Sequence, residues 1–488
     1  MYTTMTESVL EELHASDQLS QCTYSIAIAA LVSGPQQAAC LEWLQTYAME
    51  AEQITAGLSW QNTYITSYAT ALALRVGGMT MLSDGILAAL SANRNTTTNT
   101  ETLTFGGLVG ALNRFSQRTF GFVMPHSPAV QSAVEAESYK WQKVIQWNQF
   151  YNPIYSIAGF TAESSYGLPI DLDRFTTAFG LSDGSIARSA SASAITLLNY
   201  LAQDRTPPCA LVNYVHQLNP YERTIGVFDQ LPNFLNAWTL MYADLDDSVM
   251  RNLPEAIELR DALAQTARIG AAGNLITPEL DTGSVAMLGI RWPRAKRQRA
   301  FEEATRLMFD GTVYRTFLFE RNPSVSTNIH VLAAWPENPH ADAIFGWLQQ
   351  ELDGTFDHWL CKWHISPFYV IGEIGRLMID IPHPIAQRLA VRALYMLLAA
   401  QRTDGGWGIV RSTTEETAYA VLALRKLHDC YPALAHECDT SLLNARAVLE
   451  RSPDYTPLWI GKSLYCLRPL VRVLQSLARE ALYERVTV

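Results

Sequence analysis

Gln401-Arg-Thr-Asp-Gly-Gly-Trp-Gly408 separates two apolar runs, Ala386 to Ala400 and Glu415 to Leu427, and its reading decides the fold. Both runs carry apolar residues at three- and four-residue spacing and are rich in Ala and Leu, the pattern of a helix with one buried face. The glycines and Asp404 between them end the first helix and turn the chain into the second. The same period recurs outward, at Tyr64 to Leu74, Ala190 to Leu201 and Pro469 to Leu482. Leu41-Glu-Trp-Leu-Gln45 and Leu181-Ser-Asp-Gly-Ser-Ile186 mark further helix ends before a turn. No sustained period-two alternation appears. The pattern predicts an all-α protein in which antiparallel helix pairs stack in rings, an architecture of the α-barrel type.

Composition narrows the function. At 488 residues the chain is long enough for two or three domains, each with its own core. Hydrophobic residues make up 48% and charged ones 17%, with 12 Trp and 21 Tyr, which describes an aromatic-rich globular interior. A formal net charge of −11 argues against a nucleic-acid surface, because phosphate needs a basic face. The basic stretch Arg291-Trp-Pro-Arg-Ala-Lys-Arg-Gln-Arg299 reads as a solvated helix face. Cys22, Cys40, Cys209, Cys361, Cys430, Cys438 and Cys466 are odd in number and scattered, so neither a disulfide framework nor a zinc site is expected. With no signal-peptide pattern at Met1-Tyr-Thr-Thr-Met-Thr and no apolar run of spanning length, a cytoplasmic location is expected.

The chemistry concentrates in two segments. Ala272-Gly-Asn-Leu-Ile-Thr-Pro-Glu-Leu-Asp-Thr282 puts Asp281 beside a second acid, Glu279, at a predicted helix start. Phe319-Glu-Arg-Asn-Pro-Ser-Val-Ser-Thr-Asn-Ile-His-Val-Leu332 supplies an amide, Asn328, to hold such an acid in its protonated form. A neutral carboxylic acid with a raised pKa is what protonation of an alkene, a weak carbon base, requires. A literal Asp-x-Asp-Asp string occurs earlier, at Asp244-Leu-Asp-Asp247. It follows the apolar run Asn236 to Ala243 and reads as a solvated helix terminus.

The pair of segments resembles the active-site core of class II diterpene cyclases, whose Asp-x-Asp-Asp-type motif starts a carbocation cascade by protonation. In that family a Trp precedes the acid motif by some forty residues, and a Ser-x-Ser-x-Asn-type segment follows at a similar distance. Trp238 and Asn328 stand so around Glu279 and Asp281, whereas Asp246 lies far too distant from Asn328. Asp281 is therefore expected to be the acid, in a motif drifted to Glu-x-Asp-Thr. Further similarities follow in order: Ser185-Ile-Ala-Arg-Ser-Ala-Ser-Ala-Ser-Ala194, Lys362-Trp-His-Ile-Ser-Pro-Phe-Tyr369, Thr414-Glu-Glu-Thr-Ala-Tyr-Ala-Val-Leu-Ala-Leu424 and Leu458-Trp-Ile-Gly-Lys-Ser-Leu-Tyr465. Gln401 to Trp407 fits the Gln-x-x-x-Gly-x-Trp repeat of cyclase α-barrels. Tyr24-Ser-Ile-Ala-Ile28 departs from the family's Tyr-Asp-Thr-Ala-Trp.

The resemblance implies two α-barrels, called β and γ, with residues 1–34 and 222–488 forming β and 35–221 forming γ. It implies protonation-initiated cyclisation of geranylgeranyl diphosphate to a bicyclic prenyl diphosphate of labdane, halimane or clerodane type. The diphosphate is kept, since no Asp-Asp-x-x-Asp ionisation motif is present. Asp281 is expected as general acid, Glu279 as the neighbour that raises its pKa or relays its proton, and Asn328 as its hydrogen-bond partner. Trp363, Tyr369, Trp407, His364 and His330 are expected at the hydrocarbon pocket, and His364 or His330 as terminating base. Lys362 and Lys462 are expected to meet the diphosphate, with Mg²⁺ assisting; Glu101, Glu135 and Glu137 are its possible ligands. A class I terpene synthase would take up the product. Two alternatives stand beside this reading: a farnesyl diphosphate cyclase of the drimenyl type, and a non-catalytic α-barrel that binds an isoprenoid.

Overall fold

A computed structural model describes residues 19–55, 59–92, 105–227, 231–244, 254–265, 279–290 and 292–483. Among them helices dominate, and they fall where the apolar period places them. The run Ala190 to Leu201 lies in a helix over Ala190–Ala202, Ala386 to Ala400 in Pro384–Ala400, Glu415 to Leu427 in Thr414–Cys430, and Pro469 to Leu482 in Arg468–Tyr483.

The helices form two groups. In the first, α1 (Thr23–Ala30) packs on α2 (Gln37–Thr55), α3 (Trp60–Val76) and the helix Ala190–Ala202. Ala27, Ala29 and Ala30 are fully buried, and such short side chains allow close approach between helices. The expectation that the segment 1–34 goes with the barrel formed by 222–488 falls in part on residues 1–18, which lie outside the described residues. The stretch just before α1 reaches that part of the chain: Cys22 N–H donates to Ile225 O at 2.8 Å, and Leu19 bridges to Leu467.

The second group holds the acid segment. Its members here are α4 (Pro232–Ala243), α5 (Leu280–Ile290), α6 (Val325–Ala334), α7 (Pro367–Glu373), α8 (Pro384–Ala400), α9 (Thr414–Cys430), α10 (Ala435–Leu449) and α11 (Arg468–Tyr483). α4 packs on α5, α5 on α6, and α9 on α7, α10 and α11. The turn before α9 has a structural task. Gln401 Nε2 donates to Gly405 O at 2.8 Å and Ser441 O at 2.7 Å, while Trp407 Nε1 donates to Leu397 O at 2.8 Å. Gly405 has φ +88°, and a Cβ there would lie 2.0 Å from Asn444 O, so only glycine fits.

Between the groups stands a short antiparallel hairpin, β1 (Trp459–Ile460) and β2 (Leu464–Tyr465). Two-residue strands are too short for a period-two pattern to register in the sequence. Leu464 N–H donates to Asn62 Oδ1 of the first group at 2.7 Å, and Ile460 N–H to Trp363 O of the second at 2.7 Å. The hairpin therefore pins one group to the other.

Candidate active site

α5 begins with Glu279 in the capping position. The Glu279 carboxylate accepts from Asp281 N–H at 2.8 Å and Thr282 N–H at 2.6 Å, satisfying two of the helix's open donors. Asp281 then lies in the first turn, 5% exposed, with Glu279 at 6%. Gly289 lets α5 lie against α4, where a Cβ would come within 2.7 Å of Leu240 Cβ.

α6 brings the partner. Ser324 caps it by accepting from Thr327 N–H at 3.4 Å. His330 and Ser326 are one helical turn apart and so share a face. Both reach the acid: His330 Nδ1 lies 2.5 Å from Asp281 Oδ1, and Ser326 Oγ donates to Oδ2 at 3.4 Å. On its other side His330 Nε2 lies 3.2 Å from Glu373 Oε2. His330 is thus in the site, but hydrogen-bonded to the acid rather than lining the cavity.

Asn328 is not where the sequence reading put it. Its Oδ1 accepts from Tyr314 N–H at 2.9 Å, and its Nδ2 donates to Tyr314 O and Ser324 O, both at 2.9 Å. Two residues along a helix is about 200° of rotation, so a His330 facing Asp281 turns Asn328 away. The amide instead holds the segment that follows Tyr314, from which Thr316 O accepts Leu280 N–H at 3.1 Å. It acts on the acid only through that strap.

Asp281 and Glu279 open onto a cavity with about 590 Å³ of empty space. Most of the rest of its wall is aromatic, with Phe234, Trp238, Phe317, Trp363, Trp459 and Phe160 beside Leu231, Thr316 and the hairpin. Phe234 and Trp238 stack at 3.8 Å, and Trp459 stands at 88° to both rings. Of the residues expected at this pocket, Trp363 lines it. His364 and Tyr369 lie one layer behind, with ring centroids 4.9 and 5.1 Å from Trp459, and are fully buried. Trp407 is away from the cavity, fixed to Leu397 O as described, because its turn serves the packing of α8, α9 and α10.

The two lysines differ. Lys362 Nζ donates to Glu320 Oε1 at 2.8 Å and Asn322 O at 2.6 Å, so it fastens the loop before α6 instead of facing the cavity. Lys462, at the hairpin turn, donates to Glu163 Oε1 and Ser189 Oγ of the first group, each at 2.7 Å, and lies 4.5 Å over the Phe160 ring. Burial pulls its pKa down and the Glu163 charge opposes that. Glu163 Oε2 is buried without a hydrogen bond. Lys462 also borders a smaller cavity of about 280 Å³ that includes Ser59, Asn62 and Ser463.

Electrostatics favour proton storage. Burial, then the Asp281 charge, pushes the Glu279 carboxyl up to about 8, against the two peptide N–H groups that favour its anion. Burial alone would lower His330, yet the Asp281 and Glu373 carboxylates reverse that and raise it to about 9. The sequence reading missed Glu373. Its signal was a lone acid inside the apolar run Phe368 to Ile374. Asp244, the first acid of the Asp-x-Asp-Asp string, caps α4 in the left-handed conformation at φ 41° and is exposed, while Asp246 lies outside the described residues.

No protein-family model matches the chain. Solved structures show its fold. It superposes over 99% of its length, and 99% of the other chain, on ent-copalyl diphosphate synthase from Streptomyces platensis, with TM-score 0.74 and 20% identity. The ent-copalyl diphosphate synthase of Arabidopsis thaliana matches over 98% of this chain and 63% of its own, with TM-score 0.59 and 14% identity. The fold is that of the class II terpene cyclases. In sequence the chain is 28% identical over 315 residues to a type B diterpene cyclase of Mycobacterium tuberculosis, covering 59% of each chain. It is 34% identical over 182 residues to labda-7,13-dienyl diphosphate synthase of Streptomyces clavuligerus, covering 35% of this chain and 33% of that one. With the first of these the match spans about three-fifths of the relative's length. These relatives bear out the resemblance to class II diterpene cyclases.

Proposed function

We propose that the protein is a class II diterpene cyclase that protonates the terminal alkene of geranylgeranyl diphosphate and closes two rings. The observation that carries this is Asp281, buried at the wall of an aromatic cavity and backed by His330 at 2.5 Å. With His330 donating to Oδ1, the acidic proton sits on Oδ2. Glu279, raised to about 8 by burial and the Asp281 charge, keeps a proton beside Asp281 at neutral pH. An alkene is a poor base, so the donor has to be a desolvated neutral acid. Trp238, Trp363 and Trp459 offer faces to the cyclic cations, each worth about 0.5–2 kcal/mol.

The first helical group would meet the diphosphate. Lys462 and Glu163 stand at the hairpin turn beside the cavity, and the unbonded Glu163 Oε2 suits a hard cation. Mg²⁺ is commonly held by one or two carboxylates together with substrate phosphates. Glu163 fits that pattern, although among the described residues no three or more His, Cys, Asp or Glu side chains cluster as a metal site. The ion would supply charge to balance the diphosphate, which stays on the product. Of the earlier candidates, Glu137 is buried with Arg321 and Lys140 at 3.4 and 3.7 Å, Glu135 is exposed, and Glu101 lies outside the described residues.

Under this reading the chain divides into a γ barrel over 35–221 and a β barrel over 222–488, with α1 packed on γ. A class I enzyme, which ionises diphosphates, would consume the product. No helix among the described residues is long and apolar enough to cross a membrane.

The test is incubation with geranylgeranyl and, separately, farnesyl diphosphate, followed by phosphatase and mass spectrometry with NMR. A bicyclic C20 alcohol that appears only after phosphatase supports the proposal. Turnover of farnesyl diphosphate alone, or release of inorganic diphosphate in step with product, overturns it.

A further inference from the structure

Behind His330 lies a buried carboxylate that the protonation reading does not use. Glu373 ends α7 and is fully buried. Its Oε2 lies 3.2 Å from His330 Nε2, its Oε1 accepts from Tyr242 Oη, and Arg376 Nη1 is 3.8 Å from Oε1. α7 passes directly into a π-helical turn, Ile374–Met378, that carries Arg376. π-turns break the regular ladder and recur at functional sites. Gly372 and Gly375 permit the approach to α9, since Cβ atoms there would meet Tyr419 at 3.1 Å and Ala423 at 3.0 Å. Helix geometry, small residues and three polar partners thus converge on one acid in an apolar run.

We propose that Glu373 is a positioning residue for the acid: paired with His330 Nε2, it holds the imidazole with Nδ1–H pointing at Asp281 Oδ1, so that the reactive proton resides on Oδ2. The proposal rests on the reading of Asp281 as proton donor. A doubly protonated imidazole donates through both nitrogens, and the Asp281 Oδ1 and Glu373 Oε2 acceptors, 2.5 and 3.2 Å away, match that. Without the Glu373 charge, the ring can lose its Nδ1 proton and accept one from Asp281. The carboxyl proton then turns to Oδ1, away from the cavity.

The surroundings agree. Burial would raise Glu373, but the His330 bond, the Arg376 charge and the Tyr242 hydroxyl bring it below the usual carboxylate value. Asp281 and Glu279 face His330 from α5. Burial pushes Tyr242, Tyr369 and Tyr419 well above their ordinary pKa, so none of them titrates near neutrality. Glu415 from α9 accepts from the Tyr419 hydroxyl and the Trp459 indole through Oε1.

The experiment compares wild type with Glu373→Gln, Glu373→Asp and Tyr242→Phe on geranylgeranyl diphosphate, measuring kcat, KM and the pH profile. Glu373→Gln is expected to lower kcat on the order of 100-fold with KM little changed, and to move the alkaline fall of activity to lower pH. Glu373→Asp should restore part of the rate, and Tyr242→Phe should shift the profile the same way by less. ¹⁵N-histidine NMR of Tyr242→Phe, the variant most able to fold, should show His330 deprotonating at lower pH than in wild type. Unchanged kcat and an unchanged alkaline limb in a folded Glu373→Gln overturn the proposal, as does an unaltered His330 titration. If Asp281→Asn still cyclises, the acid assignment fails instead, which separates the two.

Discussion

Two buried histidines, each close to a buried glutamate, stand on either side of the Trp459 and Trp238 rings. His330 touches carboxylates with both nitrogens, at 2.5 and 3.2 Å. His364 Nδ1 accepts from Ser366 N–H at 3.1 Å, and its Nε2 is 3.5 Å from Glu415 Oε1. A nitrogen that accepts a peptide N–H is occupied and cannot take a proton from a substrate cation. His364 is instead a plate: it stacks on Tyr369 at 4.9 Å and 28°, and meets the edge of Trp459 at 89°. The same residue types make a proton store in one cluster and a wall support in the other. What separates them is the tally of donors and acceptors around each ring.

The comparison breaks first at His330. His330→Gln should lower kcat about 1,000-fold, because a neutral amide cannot hold the acid's charge balance, whereas His364→Gln should cost less than about tenfold. Equal losses in steady-state assays would erase the distinction.

Glu279 gives the next effect. A carboxyl raised to about 8 is protonated below that pH and ionised above it, so kcat should be level near neutrality and fall about tenfold per pH unit above about 8. In Glu279→Gln that titrating carboxyl is gone, so the fall tied to it should disappear from the profile. A pH–rate profile decides this.

On the other side of the cavity the expected change is in products. Glu415 Oε1 accepts the Trp459 indole N–H at 2.7 Å and so fixes the ring at the wall. Glu415→Gln and His364→Ala should raise the share of early-terminated or water-quenched alcohols more than they lower total turnover. An unchanged product profile by mass spectrometry would leave both as core packing.

The smallest effect is at Asn328, whose amide holds Tyr314 and Ser324. Asn328→Ala should destabilise by about 1–3 kcal/mol through unpaired buried backbone groups, read by thermal melting, and reduce kcat only modestly.

The fold was legible because helices with one apolar face write a regular period, and the acid segment because Pro278 and Glu279 mark a helix start. The partner of the acid was half legible. His330 and Asn328 are two residues apart, and a sequence cannot say which way the helix is rotated; once Ser326 and Asp281 meet, rotation favours His330. Glu373 was not legible as a site residue because its partners come from α4 and α6, remote in sequence. Lys362 and Lys462 look alike on the page, and only tertiary contacts separate the loop fastener from the hairpin turn that meets Glu163.

The most direct test is Asp281→Asn on geranylgeranyl diphosphate, an isosteric change that removes the proton and leaves the α5 cap intact. We predict folded protein that retains substrate binding and loses cyclised diphosphate by on the order of 10⁴-fold, since water is far too weak an acid to replace the carboxyl as proton donor to an alkene. Cyclisation within tenfold of wild type in that variant would contradict the account.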